Sequence, residues 1–178
     1  MDKPEHRVAT VAFVHFDGAD ELADREGPSA LAEALDELFV DAGAAAEEHE
    51  VTFLGTDVDR DGGKTILAAG VPRAAGQDEE RMLRSLRRIV ESKRMLPVRI
   101  GVNRGHVFAG EIGPRYRRTY TVMGDTVNLA ARLMAAAAPS QLLATHGVLD
   151  EARSPFVTAP LPPSMVKGKA RPGQPFAV

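Results

Sequence analysis

Cysteine and tryptophan are both absent from this 178-residue chain. Without thiols there is no disulfide framework and no thiolate metal site, so a reducing cytoplasm is the expected home. Aromatic residues amount to only 5%, so the core has to be built from Val, Leu, Ile, Ala and a few Phe. Hydrophobic residues at 44% supply enough of these for one domain. No apolar run approaches the ~20 residues that a membrane-spanning helix requires. The opening MDKPEHR leads into no signal-type apolar region. An excess of positive charge is missing as well: net charge is −3 and the pI is near 6.0. That leaves no footprint for binding nucleic acid or an acidic membrane surface. Residues 1–178 are expected to form one domain, with residues 155–178 as a Pro-rich C-terminal segment.

What is present reads as alternating strands and helices. Val8 to Phe16 is β-branched and aromatic, the pattern of a strand buried on both faces. Asp17, Gly18, Ala19 and Asp20 read as a turn. From Pro28 and Ser29 onward, Leu31, Leu35, Leu38 and Phe39 recur at helical spacing, which predicts a helix of about five turns. Glu50 to Leu54 and Lys64 to Ala69 predict a hairpin with an acidic, Gly-containing tip. Asp78 is placed to cap a second amphipathic helix carrying Met82, Leu83, Leu86, Ile89 and Val90. Pro97 to Val102 and Gly105 to Ile112 read as two strands, with His106 next to the turn between them, and Tyr116 to Met123 as a third. Asp125 is placed as N-cap of a further helix, TVNLAARLMAAA. QLLAT reads as a strand, and a short helix is expected near Val148 to Ala152. Hairpins without a strict βαβ rhythm favour an α+β fold, with helices on one face of a mostly antiparallel sheet.

The stretch Val98 to Met134, containing RIGVNRGHVFAGEIG and YTVMGDTVNLAARL, resembles the class III adenylate/guanylate cyclase catalytic domain. The opening strand through Phe13, the hairpin ending in AAGVP at Pro72 and the terminal VKGKA follow the same family's order. The resemblance covers nearly the whole chain and implies a ferredoxin-like βαββαβ core. It also implies a nucleoside triphosphate substrate, Mg or Mn as cofactor, and a head-to-tail dimer with nucleotide sites between subunits. The reaction closes a 3′,5′-cyclic monophosphate and releases pyrophosphate. It calls for cations around the phosphates and a clamp on the ribose.

On this resemblance Asn128 orients the ribose and Arg132 stabilises the α-phosphate. They lie four residues apart, on one face of one helix. Lys167 and Lys169 fall in the segment that carries the phosphate-binding lysine, with the choice between them open, and each also reads as part of a solvated basic tail. Thr121 falls at a purine-reading position, where Thr or Asp accompanies adenine in the family, although Thr also suits any strand. The metal positions depart from the pattern. The family's first aspartate, in a pattern like FADIxG, falls on His15, and its second, in a pattern like FIGD, falls on Gly63. Mg²⁺ favours oxygen ligands, and imidazole is a poor substitute. A shifted register would bring Asp17 and Asp61 together as a replacement pair; alternatively Asp17 begins a turn and the hairpin acids are solvated tip residues. An EF-hand reading of the loop starting at Asp57 fails at its twelfth position, Ala68.

The sequence therefore carries two functional expectations. One is a cyclase subunit that contributes the Asn/Arg/Lys half of a site, weak or inactive as a homodimer and completed in a heterodimer by a metal-bearing cyclase domain. The other is a catalytically degenerate nucleotide-binding or dimerisation module in a larger bacterial signalling protein. A homodimeric enzyme with a rebuilt metal site is a third possibility. ATP and GTP both remain open as substrate.

Overall fold

The computed structural model describes residues 5–59, 61–162 and 174–178. The elements run β1 (Glu5–Asp17), α1 (Ala19–Glu26), α2 (Pro28–Glu48), β2 (Thr52–Asp59), β3 (Gly62–Ala69), α3 (Asp78–Glu91), β4 (Val98–Ile112), β5 (Thr119–Met123), α4 (Asp125–Ala136), β6 (Gln141–Thr145), α5 (His146–Leu149), β7 (Ala159–Pro160) and β8 (Pro175–Ala177). The strands form one sheet in the order β2-β3-β1-β4-β6-β8-β7, with β5 paired to β4 off that path. Its first four strands, linked by α1–α2 and by α3, have the ferredoxin-like βαββαβ arrangement. All pairings are antiparallel except β4 with β6, which are joined through α4.

β1 explains why the sheet needs cover on both sides. Its side chains alternate across the sheet. Ala12, Val14 and Phe16 enter one apolar cluster, with Leu22, Leu38, Met82, Leu83, Leu86 and Ile89 of α1, α2 and α3. Ala9, Val11 and Phe13 enter another, with Ala130 and Met134 of α4. Helices thus lie on both faces, where the sequence pattern predicted one. The difference arises because α4 buries only a narrow stripe, Thr126, Ala130, Leu133 and Met134, and presents Asn128 and Arg132 outward.

Several local expectations are corrected. Residues 98–112 are a single strand, with His106 inside it and paired to Val8, because Asn103–Gly105 continue the β1 ladder instead of reversing. Of the 17–20 segment only Gly18 lies between elements: Asp17 ends β1, and α1 follows from Ala19, with Leu22 as its buried anchor. The acidic residues Asp57 and Asp59 belong to β2 and not to a free tip, opposite Lys64 and Gly62. Gln77 and Gly124, not Asp78 and Asp125, are the N-caps of α3 and α4. The short helix near 148 begins at His146. In the C-terminal segment, Pro175–Ala177 form a strand on β6.

One clasp ties Arg153 and Ser154, just ahead of the C-terminal segment, to α3. The Glu80 carboxylate accepts hydrogen bonds from Ser154 Oγ at 2.6 Å, from the backbone N–H groups of Ser154 and Arg153 at 2.8 and 2.9 Å, and from Arg84 Nη2 at 2.7 Å. Charge-assisted donors of this kind stabilise the ionised form. The Ser154 hydroxyl first, then Arg84, lower the Glu80 pKa from its ordinary 4.5 to about 2.

Candidate functional site

α4 is held against the sheet by close backbone approach. A Cβ on Gly101 of β4 would meet Met134 N at 2.1 Å and Ala130 O at 2.4 Å, and one on Gly105 would meet Thr126 Oγ1 at 2.6 Å. Glycine at these two positions lets the helix lie directly on the strand. Three hydrogen bonds then fix the first turn. Thr126 Oγ1 donates to His106 O at 2.8 Å, and Asn103 Nδ2 donates to Thr126 O at 3.0 Å. Thr145 Oγ1 donates to Asn103 Oδ1 at 2.9 Å. Gly124, the N-cap, has φ 133°, a left-handed value that favours glycine, and its carbonyl accepts from Val127 N and Asn128 N at 3.1 Å each.

On that fixed helix Asn128 and Arg132 are both exposed. Among the described residues neither side chain has a hydrogen bond or ion pair. A guanidinium with no carboxylate partner is available to an anion, and an amide beside it offers both a donor and an acceptor. Thr121 is half-buried on β5 opposite Gly110 of β4. Lys167 and Lys169 lie outside the described residues. Asn103 and Thr126 were absent from the sequence reading. Their signal was weak: a polar pair in otherwise apolar surroundings, whose meeting depends on how α4 returns over β4.

The C-terminal end of β1, beside the β2–β3 hairpin, holds the residues considered for metal. Asp17 pairs with Gly62 across the strands, so Asp17 and Asp61 do lie near one another in sequence register. Each carboxylate is engaged elsewhere. Asp17 Oδ2 accepts from Arg99 Nη2 at 2.5 Å, and that nitrogen also lies 3.3 Å from His15 Nδ1. Asp61 accepts from the backbone N–H of Asp20 at 2.8 Å and of Gly18 at 3.3 Å, both at the start of α1. Asp57 is paired with Lys64 at 2.9 Å.

Position 63 has no room for the aspartate that the resemblance places there. A Cβ on Gly63 would lie 2.8 Å from Asp57 O and 3.0 Å from Phe16 Cζ. No group of three or more His, Asp or Glu side chains among the described residues is arranged to hold a metal ion. These residues do not fit the two-aspartate divalent centre of the resemblance. No helix among the described residues is long and apolar enough to cross a membrane.

Comparison with known proteins gives the same architecture. The catalytic core of a rhodopsin-guanylyl cyclase with converted specificity, in complex with ATPαS, superposes with a TM-score of 0.83 at 22% identity, over 99% of this chain and 98% of that one. An uncharacterised protein of Mycobacterium tuberculosis (strain ATCC 25618 / H37Rv) is 30% identical over 154 residues, 83% of this chain but 28% of its own length. An adenylate cyclase of Mycobacterium bovis (strain ATCC BAA-935 / AF2122/97) is 26% identical over 169 residues, covering 90% of this chain and 37% of that protein. The chain therefore spans well under half the length of these curated relatives. The family model of the adenylate and guanylate cyclase catalytic domain matches residues 1–174, and the chain belongs to that family.

Proposed function

We propose that this chain is the Asn128–Arg132 half of a nucleotide cyclase site, completed by a second, metal-bearing cyclase domain in a head-to-tail dimer. The observation that carries this reading is the contrast between two sets of side chains. Asn128 and Arg132 stand exposed and, among the described residues, unpartnered on a helix fixed to β4, while Asp17 and Asp61 at the end of β1 are already bound within the chain. In this role Arg132 places fixed positive charge where negative charge grows on the α-phosphate. Asn128 hydrogen-bonds the ribose so that its 3′-oxygen faces that phosphate in line. Thr121 offers a hydroxyl to the purine edge, and one of Lys167 and Lys169 supplies point charge to the departing pyrophosphate. The partner domain brings the divalent ions.

A second reading is a dimerisation or nucleotide-binding module, without chemistry, within a longer signalling protein. It draws support from the internally paired edge and from the greater length of the relatives. Cyclic nucleotide formation separates the two readings. The chain alone, with ATP or GTP in Mg²⁺ or Mn²⁺, is expected to give little product. Mixing it with a metal-bearing cyclase domain is expected to give turnover that Arg132→Ala removes. Robust product from the chain alone, lost in Asp17→Ala, would refute the half-site. Absence of product in every mixture, with dimers formed, favours the module.

A further inference from the structure

The edge that the resemblance assigns to metal carries cations of its own. Strand register sets Lys64 of β3, His15 of β1 and Arg99 of β4 side by side in one cross-strand row. Residues directly opposed across strands point to the same face. That face is the α4 face, because His15 follows Phe13 and Val11 at alternate positions of β1. The two fixed cations in the row are each matched by an acid, Lys64 by Asp57 and Arg99 by Asp17. Arg99 Nη2 bridges the position expected to hold the first metal aspartate, His15, and the nearest carboxylate after it, Asp17.

The anion side of the edge is also filled. A helix N-terminus offers backbone N–H groups and the positive end of the helix dipole, which together attract an anion. At α1 that seat is taken by Asp61 from the neighbouring hairpin, with its two carboxylate oxygens on two different N–H groups. The Asp61 carbonyl adds a third contact by accepting from Ala19 N at 3.3 Å. The hairpin is kept in place by glycine. A Cβ on Gly62 would lie 2.1 Å from Phe16 O, and φ there is +157°.

We infer that this edge is a closed pseudo-site: Arg99 stands where a divalent cation is expected and Asp61 where an anionic ligand group would be held, so that the edge takes up neither. A divalent ion would have to strip Asp17 from a guanidinium and Asp61 from backbone N–H groups, and would gain no aspartate at position 63 in return. A phosphate chain arriving without metal would meet a seat already occupied by the Asp61 carboxylate, with Asp20 and Glu21 in the first turn of α1 beside it. This deepens the half-site reading and rests on it for the meaning of the edge. A homodimer then has no productive site, and a mixed dimer has one.

Two measurements on the full chain test the inference, and neither uses cyclic nucleotide formation. In the first, Mn²⁺ alone is titrated and the electron paramagnetic resonance of aqueous Mn²⁺ is followed. The signal is expected to persist undiminished at equimolar protein. A loss of signal that Asp17→Asn or Asp61→Asn reverses would overturn the inference. In the second, hydrogen exchange is measured at the amides of Gly18 and Asp20. Exchange is expected to be roughly fivefold faster in Asp61→Ala than in the parent chain. Asp61→Asn, which keeps an acceptor oxygen, is expected to fall between them and serves if the alanine variant does not fold. Unchanged exchange in the variants would also overturn the inference. Failure of the mixing experiment described above would leave both results standing.

Discussion

The exposed surface of α4 and the C-terminal end of β1 treat charge in opposite ways. At α4, Asn128 and Arg132 project from a helix whose every support lies beneath them: glycine contacts at Gly101 and Gly105, and the Asn103–Thr126–Thr145 hydrogen bonds. At the end of β1 the charged side chains support the fold themselves. Arg99 holds Asp17, Lys64 holds Asp57, and Asp61 holds the start of α1. A side chain that is part of the scaffold has given up its capacity to bind something else. The difference lies less in which residues are present than in whether the charged side chains themselves, or glycine and neutral polar groups beneath them, carry the local structure.

The largest effect that separates the two regions is catalytic. In a mixed dimer with a metal-bearing domain, Arg132→Ala is expected to lower kcat by about 10²–10³, the range for losing one preorganised donor to a transition-state oxyanion. Arg99→Gln, in the other region, is expected to leave turnover of the mixed dimer near the parent's. Steady-state assays of both variants in one preparation make the comparison. Similar losses in the two would erase the distinction drawn here.

The next effect is on folding. Gly101→Ala forces a methyl into the α4 backbone, at 2.1 Å from Met134 N, and neither the helix nor the strand beneath it can move freely. Overpacking of this kind costs about 1–3 kcal/mol, occasionally more. Gly63→Asp, the substitution that would restore the family's aspartate, meets Phe16 and the Asp57 carbonyl and is expected to destabilise the chain without creating a metal site. Urea unfolding measures both costs, and Mn²⁺ titration of Gly63→Asp checks the second claim.

Acid separates the Glu80–Ser154 clasp from both of these regions. Glu80 has its pKa lowered to about 2 in the folded chain, from an ordinary 4.5. Its contribution to stability is therefore fully present above about pH 4.5 and is lost as pH falls toward 2. Unfolding curves collected across that window are expected to show an acid-dependent loss that is smaller in Glu80→Gln. Identical pH profiles would mean that the clasp contributes nothing.

These contrasts also explain what could be read from the sequence. β1, α2 and α3 are legible because their apolar residues recur with one period over many positions; in α2 the expected Leu38 is buried and Leu31, Leu35 and Phe39 pack against the core partly buried, joined by Ala34, Ala42, Ala45 and Ala46. α4 was legible as a helix, and its Asn128–Arg132 spacing put both side chains on one face. α1 was missed because DGAD carries the signals of a turn and Leu22 is its only large buried residue. β4 was split because Asn103, Arg104 and Gly105 look like a loop until β1 lies beside them. The pairing at the metal edge was unreadable for the same reason. That Arg99 meets Asp17, and Asp61 the start of α1, follows from strand register between segments more than 40 residues apart.

The smallest effect is the most direct test of that register. Asp61 acts on α1 as an N-cap usually does, but it arrives from a different element, since Gly18 at the cap position has no side chain to offer. Loss of a capping carboxylate costs about 1 kcal/mol, so Asp61→Ala is expected to lower the urea midpoint slightly. Asp57→Ala removes only an exposed ion pair with Lys64, and such pairs contribute between about 0 and 1 kcal/mol. The two aspartates sit on one hairpin with the same charge, so a general electrostatic effect would move both variants alike. A larger shift for Asp61→Ala, retained at high salt where the exposed pair is screened, isolates the hydrogen bonds to α1 as the cause.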